Sequence, residues 1–241
     1  MLRRDQWWSA LSLQIVLVGG AALFYFGVRG LTEGQEATAF AHARGVLRFE
    51  SNVGLDLERS AQEWLLEHDW AVTLANWVYI WGHWPVIIAT LAWLFARHRD
   101  DYLLLRNAMF ISGAIGLVIF VSYPVAPPRL LPEFVDTVTE RSSSYRVLQP
   151  PGLVNKYAAL PSLHFGWNLL VGVVIYRVAR TRLTVGYAII GPILMALAVV
   201  LTANHFIVDA IVGGVVALAG FALALRLTAI SFRPIRRPLR R

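Results

Sequence analysis

Residues 155–167 read NKYAALPSLHFGW and residues 202–214 read TANHFIVDAIVGG. The sequence between them is almost wholly apolar, broken only at Arg177-Val178-Ala179-Arg180-Thr181-Arg182. A helix that crosses a bilayer needs about 20 residues at a rise of about 1.5 Å each. The chain after His164 therefore crosses once, turns at the basic break and crosses back. His205 returns to the membrane face that His164 left, and Asp209 follows one helical turn later. Two histidines about 40 residues apart in sequence are thereby expected to meet on one surface.

Working outward, the composition agrees with a membrane setting. The 241 residues are 57% hydrophobic and their mean hydropathy is +0.55, too apolar for an ordinary soluble domain. With no cysteine, disulfides and thiolate chemistry are excluded. The net charge of +7 comes from 22 basic residues, of which Lys156 is the only lysine. These cations sit in short loops and in the C-terminal tail, a placement that membrane topology explains better than nucleic-acid binding does.

The chain divides into six expected spans: 9–28, 70–95, 102–123, 162–176, 183–201 and 205–227. The first is read as an uncleaved span rather than a signal peptide, because its apolar run is long and lacks a small-residue cleavage site. Residues 34–69 mix Phe40, Val46, Leu47, Leu55, Leu57, Trp64 and Leu65 with Arg44, Arg48, Glu50, Glu58 and Glu63. That pattern predicts one or two amphipathic helices between spans 1 and 2, lying on the membrane surface or packed against the bundle, with the charged set opposing the apolar one. From Val125 to Lys156 the sequence is rich in proline and serine, which rules out a continuous helix. The fold class is thus all-α: six transmembrane helices in one bundle, residues 1–241 as a single domain, with surface helices added.

An even number of spans puts both termini on one side. Arg3, Arg4, Arg97, Arg99, Arg106, Arg177, Arg180, Arg182, Arg226 and the five tail arginines then share that side. The excess of basic residues makes it cytoplasmic. The histidines, the 34–69 helices and the proline loop are expected on the extracytoplasmic face of the cell membrane.

Pro161 and Ser162 are good helix-start chemistry in the first turn of the fourth span. A helix start also offers N–H donors and a positive dipole end, which suit a phosphate. His164, just inside, can give a proton to a leaving oxygen. His205 and Asp209, four apart, share a helix face, and an acid in an apolar span is functional by default. Such an acid orients the histidine and favours its imidazolium, leaving the other ring nitrogen as nucleophile or base. Arg129 in the proline loop and Lys156 complete an anion site on the same face. Two imidazoles and a carboxylate also describe a metal site, but no compact ligand motif is present and the flanking cations would repel a metal, so no metal or other cofactor is expected. Ser162 lacks the G-x-S-x-G context of a hydrolase nucleophile. A transporter would scatter polar residues and breaks near the midplane, whereas here they gather at one face.

PSLH at 161–164 followed by NHFIVD at 204–209 resembles the phosphatidic acid phosphatase type 2 superfamily, which also includes vanadium haloperoxidases. The resemblance runs from about Trp77 to Gly214. It implies that His205 attacks phosphorus to form a phosphohistidine, with Asp209 orienting it. It further implies that His164 protonates the leaving group and that Ser162, with its backbone N–H, binds phosphate. The first motif departs from the family pattern: YPVAPPRLLP at 123–132 is similar to the branch containing inositol phosphorylceramide synthases, so Arg129 takes the arginine role. The arginine that normally opens the third motif is missing from Val199-Val200-Leu201-Thr202-Ala203-Asn204, and Lys156, Arg129 or Asn204 is read as its substitute. In that branch a histidine recurs near the end of the second span, which His83 matches. The implied activity is cleavage of a membrane lipid phosphate ester or pyrophosphate at the extracytoplasmic face. Transfer to an alcohol, as in an inositol-phosphate transferase, is the alternative.

Overall fold

A computed structural model describes residues 4–29, 35–141, 156–178 and 181–231. The Ser-rich half of the proline loop, Arg180 and the basic tail lie outside the described residues. Ten α-helices are seen among them: α1 Arg4–Arg29, α2 Glu36–Val53, α3 Glu58–Leu66, α4 Asp69–Trp81 and α5 Trp84–Arg97. There follow α6 Arg99–Ser122, α7 Thr137–Arg141, α8 Leu163–Val178, α9 Arg182–Leu201 and α10 Ile207–Ser231. A 3-10 turn, Pro128–Leu130, interrupts the described part of the proline loop. The all-helical class is therefore observed, with one isolated parallel bridge, Val125 to Ala158.

The six expected spans take uneven forms. Helices α6, α9 and α10 are long and apolar enough to cross a membrane. The expected span 70–95 is instead two helices, α4 and α5, bent by 43° at Gly82-His83. Pro85 causes the break: it lacks an N–H, and its ring would clash with the carbonyl of Trp81 in a continuous helix. The expected span 9–28 lies within α1, Arg4–Arg29, while in the expected span 162–176 the apolar helix is Leu163–Val178, shorter than a full span.

Helix α8 is the centre of the bundle, packed between α9 and α10, while α10 lies along α6. Small residues set how close these helices come. A Cβ on Gly172 would meet the Ala188 carbonyl at 2.5 Å and Pro192 at 2.6 Å, so α8 and α9 touch backbone to backbone. A Cβ on Gly213 would lie 2.2 Å from the Ser162 carbonyl oxygen, which presses the start of α8 directly onto α10. Small residues at such crossings are the usual means by which membrane helices gain contact. Away from these crossings, Leu105, Leu170, Val174 and Ala217 fill the main core.

A second core sits at one end of the bundle and includes Ala39, Ala43 and Val46 of α2. It joins them to Val125, Ala126, Leu131 and Phe134 of the proline loop, and to Tyr157, Ala159, Ala203 and Phe206. Backbone bonds knit the same pieces together: Val125 donates to Tyr157, Ala159 to Val125, Ala126 to Ala39 and Arg129 to Ala203. Helix α3 is tied in by reciprocal bonds between Gln62 and Val135, 2.8 and 2.9 Å. Helices α2 and α3 thus form a roof over the end of the bundle. The charged face expected of them needs one correction. Arg44, Arg48 and Glu63 do point outward, but Glu50 is fully buried and Glu58 is 1% exposed.

Candidate active site

The turn that carries His205 begins where α9 ends. Thr202 caps that helix, and Ala203 follows with φ +53°. The Ala203 N–H bonds the Val200 carbonyl at 2.9 Å and the Asn204 N–H bonds the Val199 carbonyl at 3.1 Å. This pair of bonds is a Schellman ending, in which glycine usually fills the left-handed position. Alanine there forgoes an obvious helix-stop signal in the sequence. The reversal points the chain at once into His205, so the position of the imidazole is tied to the end of α9.

His205 is 5% exposed. Its Nδ1 lies 2.8 Å from the Ala159 carbonyl oxygen. A carbonyl only accepts, so Nδ1 carries the proton and Nε2 keeps its lone pair. Asp209 Oδ2 is 3.6 Å from the same Nδ1, an ion-pair distance rather than a hydrogen bond. The hydrogen bond to the ring is therefore made by the Ala159 carbonyl, with the Asp209 carboxylate beside it. The two residues also do not share a helix. Helix α10 begins at Ile207, leaving His205 ahead of the cap and Asp209 at the third helical position. There Asp209 Oδ2 accepts from the Phe206 N–H at 2.9 Å, the returning half of a capping box.

His164 stands at the second position of α8, and its ring centroid lies 5.8 Å from that of His205. The hairpin α8–α9 thus brings together histidines from its two ends. The ring of Tyr79 stacks on His164 at 4.7 Å and that of His83 lies 4.2 Å away. His83 is 3% exposed, and the break between α4 and α5 delivers it to the site. Asn168 Nδ2 donates to His83 Nδ1 at 3.1 Å and to the His164 carbonyl at 3.0 Å. With Nδ1 accepting, the neutral His83 ring carries its hydrogen on Nε2.

The expected phosphate ligands are placed differently from one another. Ser162 is fully buried at the cap of α8, where its Oγ accepts from the Phe165 N–H at 3.4 Å. Pro161 lies one residue ahead of that cap rather than in the first turn. The Ser162 N–H donates to the Asp209 carbonyl at 2.9 Å, so this expected phosphate donor is already used. Arg129 is brought close in the chain to His205 through its backbone bond to Ala203, 2.8 Å, and its Nε pairs with Asp136 at 3.2 Å. Asn204 is buried with Nδ2 on Thr202 Oγ1 at 2.9 Å, while its Oδ1 finds no partner. Lys156 is exposed.

Sequence reasoning missed Tyr79, Asn168, the Ala159 carbonyl and the two buried glutamates. Ile207 N–H donates to Glu58 Oε1 at 2.9 Å and Val208 N–H to Glu50 Oε1 at 2.8 Å. For Glu50 a signal existed: Ala39, Ala43, Val46 and Glu50 fall on one helical stripe. Burial, with the neighbouring Glu58, pushes the Glu50 carboxyl up from 4.5 to about 8.

A bundle of apolar helices with two histidines, an aspartate and an arginine gathered at one end has the form of a membrane enzyme acting on an anion. A family model described as PAP2 superfamily matches residues 44–223. The chain belongs to that superfamily, whose name carries a phosphatase-type action on lipid phosphates. No curated protein and no solved structure matches it.

Proposed function

We propose that the chain is a membrane lipid phosphatase or phosphotransferase that works through a phosphohistidine without a metal. The observation that carries this reading is the bond from His205 Nδ1–H to the Ala159 carbonyl, which leaves Nε2 as a nucleophile with His164 across from it. Nε2 attacks phosphorus and the P–O bond to the lipid alcohol breaks. Protonated His164 gives its proton to the departing oxygen. The neutral His164 then takes a proton from water or an acceptor alcohol, whose oxygen attacks phosphorus and releases Nε2. Asp209, 3.6 Å from Nδ1, offsets the positive charge on the phosphorylated ring.

The spreading negative charge on phosphate is met by the dipole of the α8 start and by Arg129, with Lys156 and Asn204 as further ligands at the rim. His83 sits behind His164 and holds its ring in place. Basic loops on one side of the bundle support cytoplasmic termini and an extracytoplasmic site. Exposed Phe49, Leu57 and Trp64 suit a roof lying at the membrane interface. Pyrophosphate or monoester lipids reaching the site from the bilayer are the natural substrates.

Phosphate release by purified protein in detergent tests the reading, with phosphatidic acid, phosphatidylglycerol phosphate and polyprenyl pyrophosphate as substrates. Release is expected to survive EDTA and to vanish in His205→Ala. No release from any lipid by folded protein removes the phosphatase. Transfer from phosphatidylinositol to a lipid or polyol acceptor then decides the phosphotransferase, which the inositol phosphorylceramide synthase-like motif at 123–132 favours.

A further inference from the structure

Three consecutive backbone N–H groups open helix α10, and each is held by an acid. Phe206 is bonded by Asp209 of the same turn, Ile207 by Glu58 and Val208 by Glu50. The two glutamates come from the roof helices α3 and α2, 149 and 158 residues earlier in the chain. A local cap would have sufficed to satisfy a helix start. Here two buried side chains from a separate layer are spent on the turn directly after His205.

Glu50 and Glu58 cannot both be ionised comfortably in this place. They repel each other, Asp209 adds to the repulsion, and burial disfavours charge. Among the described residues neither glutamate has an ion-pair partner. Glu50 Oε2 is buried and accepts no hydrogen bond. A proton on that oxygen converts an orphan acceptor into a donor, and the neighbouring Glu58 carboxyl favours that protonated form. The other charges nearby are accounted for. Arg48, Asp56, Arg59 and Glu133 line the outer cleft that Glu58 borders. Arg129 of the proline loop is paired with Asp136.

We propose that Glu50 and Glu58 are positioning residues that share one proton and clamp the His205–Asp209 turn, making the roof helices part of the catalytic unit. The proposal rests on the nucleophile reading of His205 given above. Loss of the shared proton places a second negative charge beside Asp209 and loosens the clamp, so the turn is held in acid and neutral solution and released as pH rises through about 8.

The test has two readouts on the full chain in detergent. The first is phosphate release. Glu50→Ala and Glu58→Ala are expected to lower kcat at least tenfold with KM within about threefold. Glu50→Gln, which keeps an acceptor for Val208 and a donor toward Glu58, recovers most of the loss and removes the component of the alkaline fall near pH 8, leaving only the limb set by the proton of His164. Unchanged kcat in both alanine variants, or an unchanged alkaline limb in Glu50→Gln, overturns the proposal. The second readout needs no activity. In protein labelled with ¹⁵N-histidine, His205, assigned by comparison with His205→Ala, is expected in the Nδ1–H form. Both alanine variants should mix the tautomers and Glu50→Gln should restore the pure form. A tautomer that ignores both alanine variants overturns the clamp even if the wild type releases no phosphate. Absence of release with the tautomer responding as expected overturns only the phosphatase reading.

Discussion

Two helix starts face each other across the candidate site, and they are built in opposite ways. Helix α8 begins with a hydroxyl cap, Ser162, and carries His164 in its first turn; no acid lies in that turn. Helix α10 begins with three carboxyl-bearing side chains on three successive N–H groups. Both ends carry the positive end of a helix dipole. One carries no acid in its first turn and the other is already saturated with acids. On the proposed reading, an incoming phosphate is drawn toward α8, while the α10 side presents the attacking nitrogen. On the same reading, repulsion from the α10 acids does part of the work of the missing third-motif arginine.

The comparison breaks most severely at the two histidines. On this division of labour His205→Ala removes the bond-forming atom and lowers phosphate release by at least about 10³-fold for every substrate. His164→Ala removes only the proton donor, worth about 10²- to 10⁴-fold. Its defect should shrink for an aryl phosphate, whose leaving group needs no proton, while the His205→Ala defect should not. Equal leaving-group sensitivity in the two variants would erase the distinction between the two ends.

Gly213→Ala attacks the contact that holds the two ends together. A methyl group 2.2 Å from the Ser162 carbonyl oxygen has no room, and the obstacle is backbone, not a flexible side chain. Overpacking of this kind costs about 1–3 kcal/mol. Thermal unfolding in detergent should register that loss, and kcat should fall together with it. Gly186→Ala, where a Cβ meets nothing within 4 Å, is the matched control.

Asp209→Asn sharpens the comparison from the α10 side. The amide oxygen still accepts from Phe206, but the charge beside His205 is gone. In a triad whose acid fixes the tautomer, the same change costs about 10⁴-fold. Here the Ala159 carbonyl fixes the tautomer, so the loss in kcat should stay well below that. A loss of the full size would show that the carboxylate, not the carbonyl, orients the ring.

What was legible in the sequence follows the same division. The hairpin and its two histidines could be read because apolar length and residue type are local properties. PSLH and NHFIVD likewise carry their chemistry within a few residues. The bend at Gly82-His83 was written in Pro85 but hidden by an apolar run that reads as one span. Glu50 and Glu58 were placed on the outer face because charge usually marks solvent. Their partners lie about 150 residues away, and no local pattern announces a cap supplied by another layer. The Ala159 carbonyl was invisible for a different reason, since any residue there would offer the same oxygen.

Ala203 is the last such case and yields the smallest effect. Its φ of +53° is left-handed, a conformation that costs a non-glycine residue roughly 1–2 kcal/mol. Ala203→Gly relieves that strain in the folded state but gives the unfolded chain more freedom, which offsets part of the gain. The net change in unfolding free energy should lie within about 1 kcal/mol of zero. Ala203 also fixes the angle at which the chain enters His205 and receives the Arg129 N–H. Strain retained at a functional turn implies that the angle itself matters. Ala203→Gly should therefore leave the melting temperature nearly unchanged while lowering kcat by a few-fold. If kcat and stability are both unmoved, the Schellman ending is merely a helix stop, and the position of His205 is set by Ala159 and the α10 cap alone.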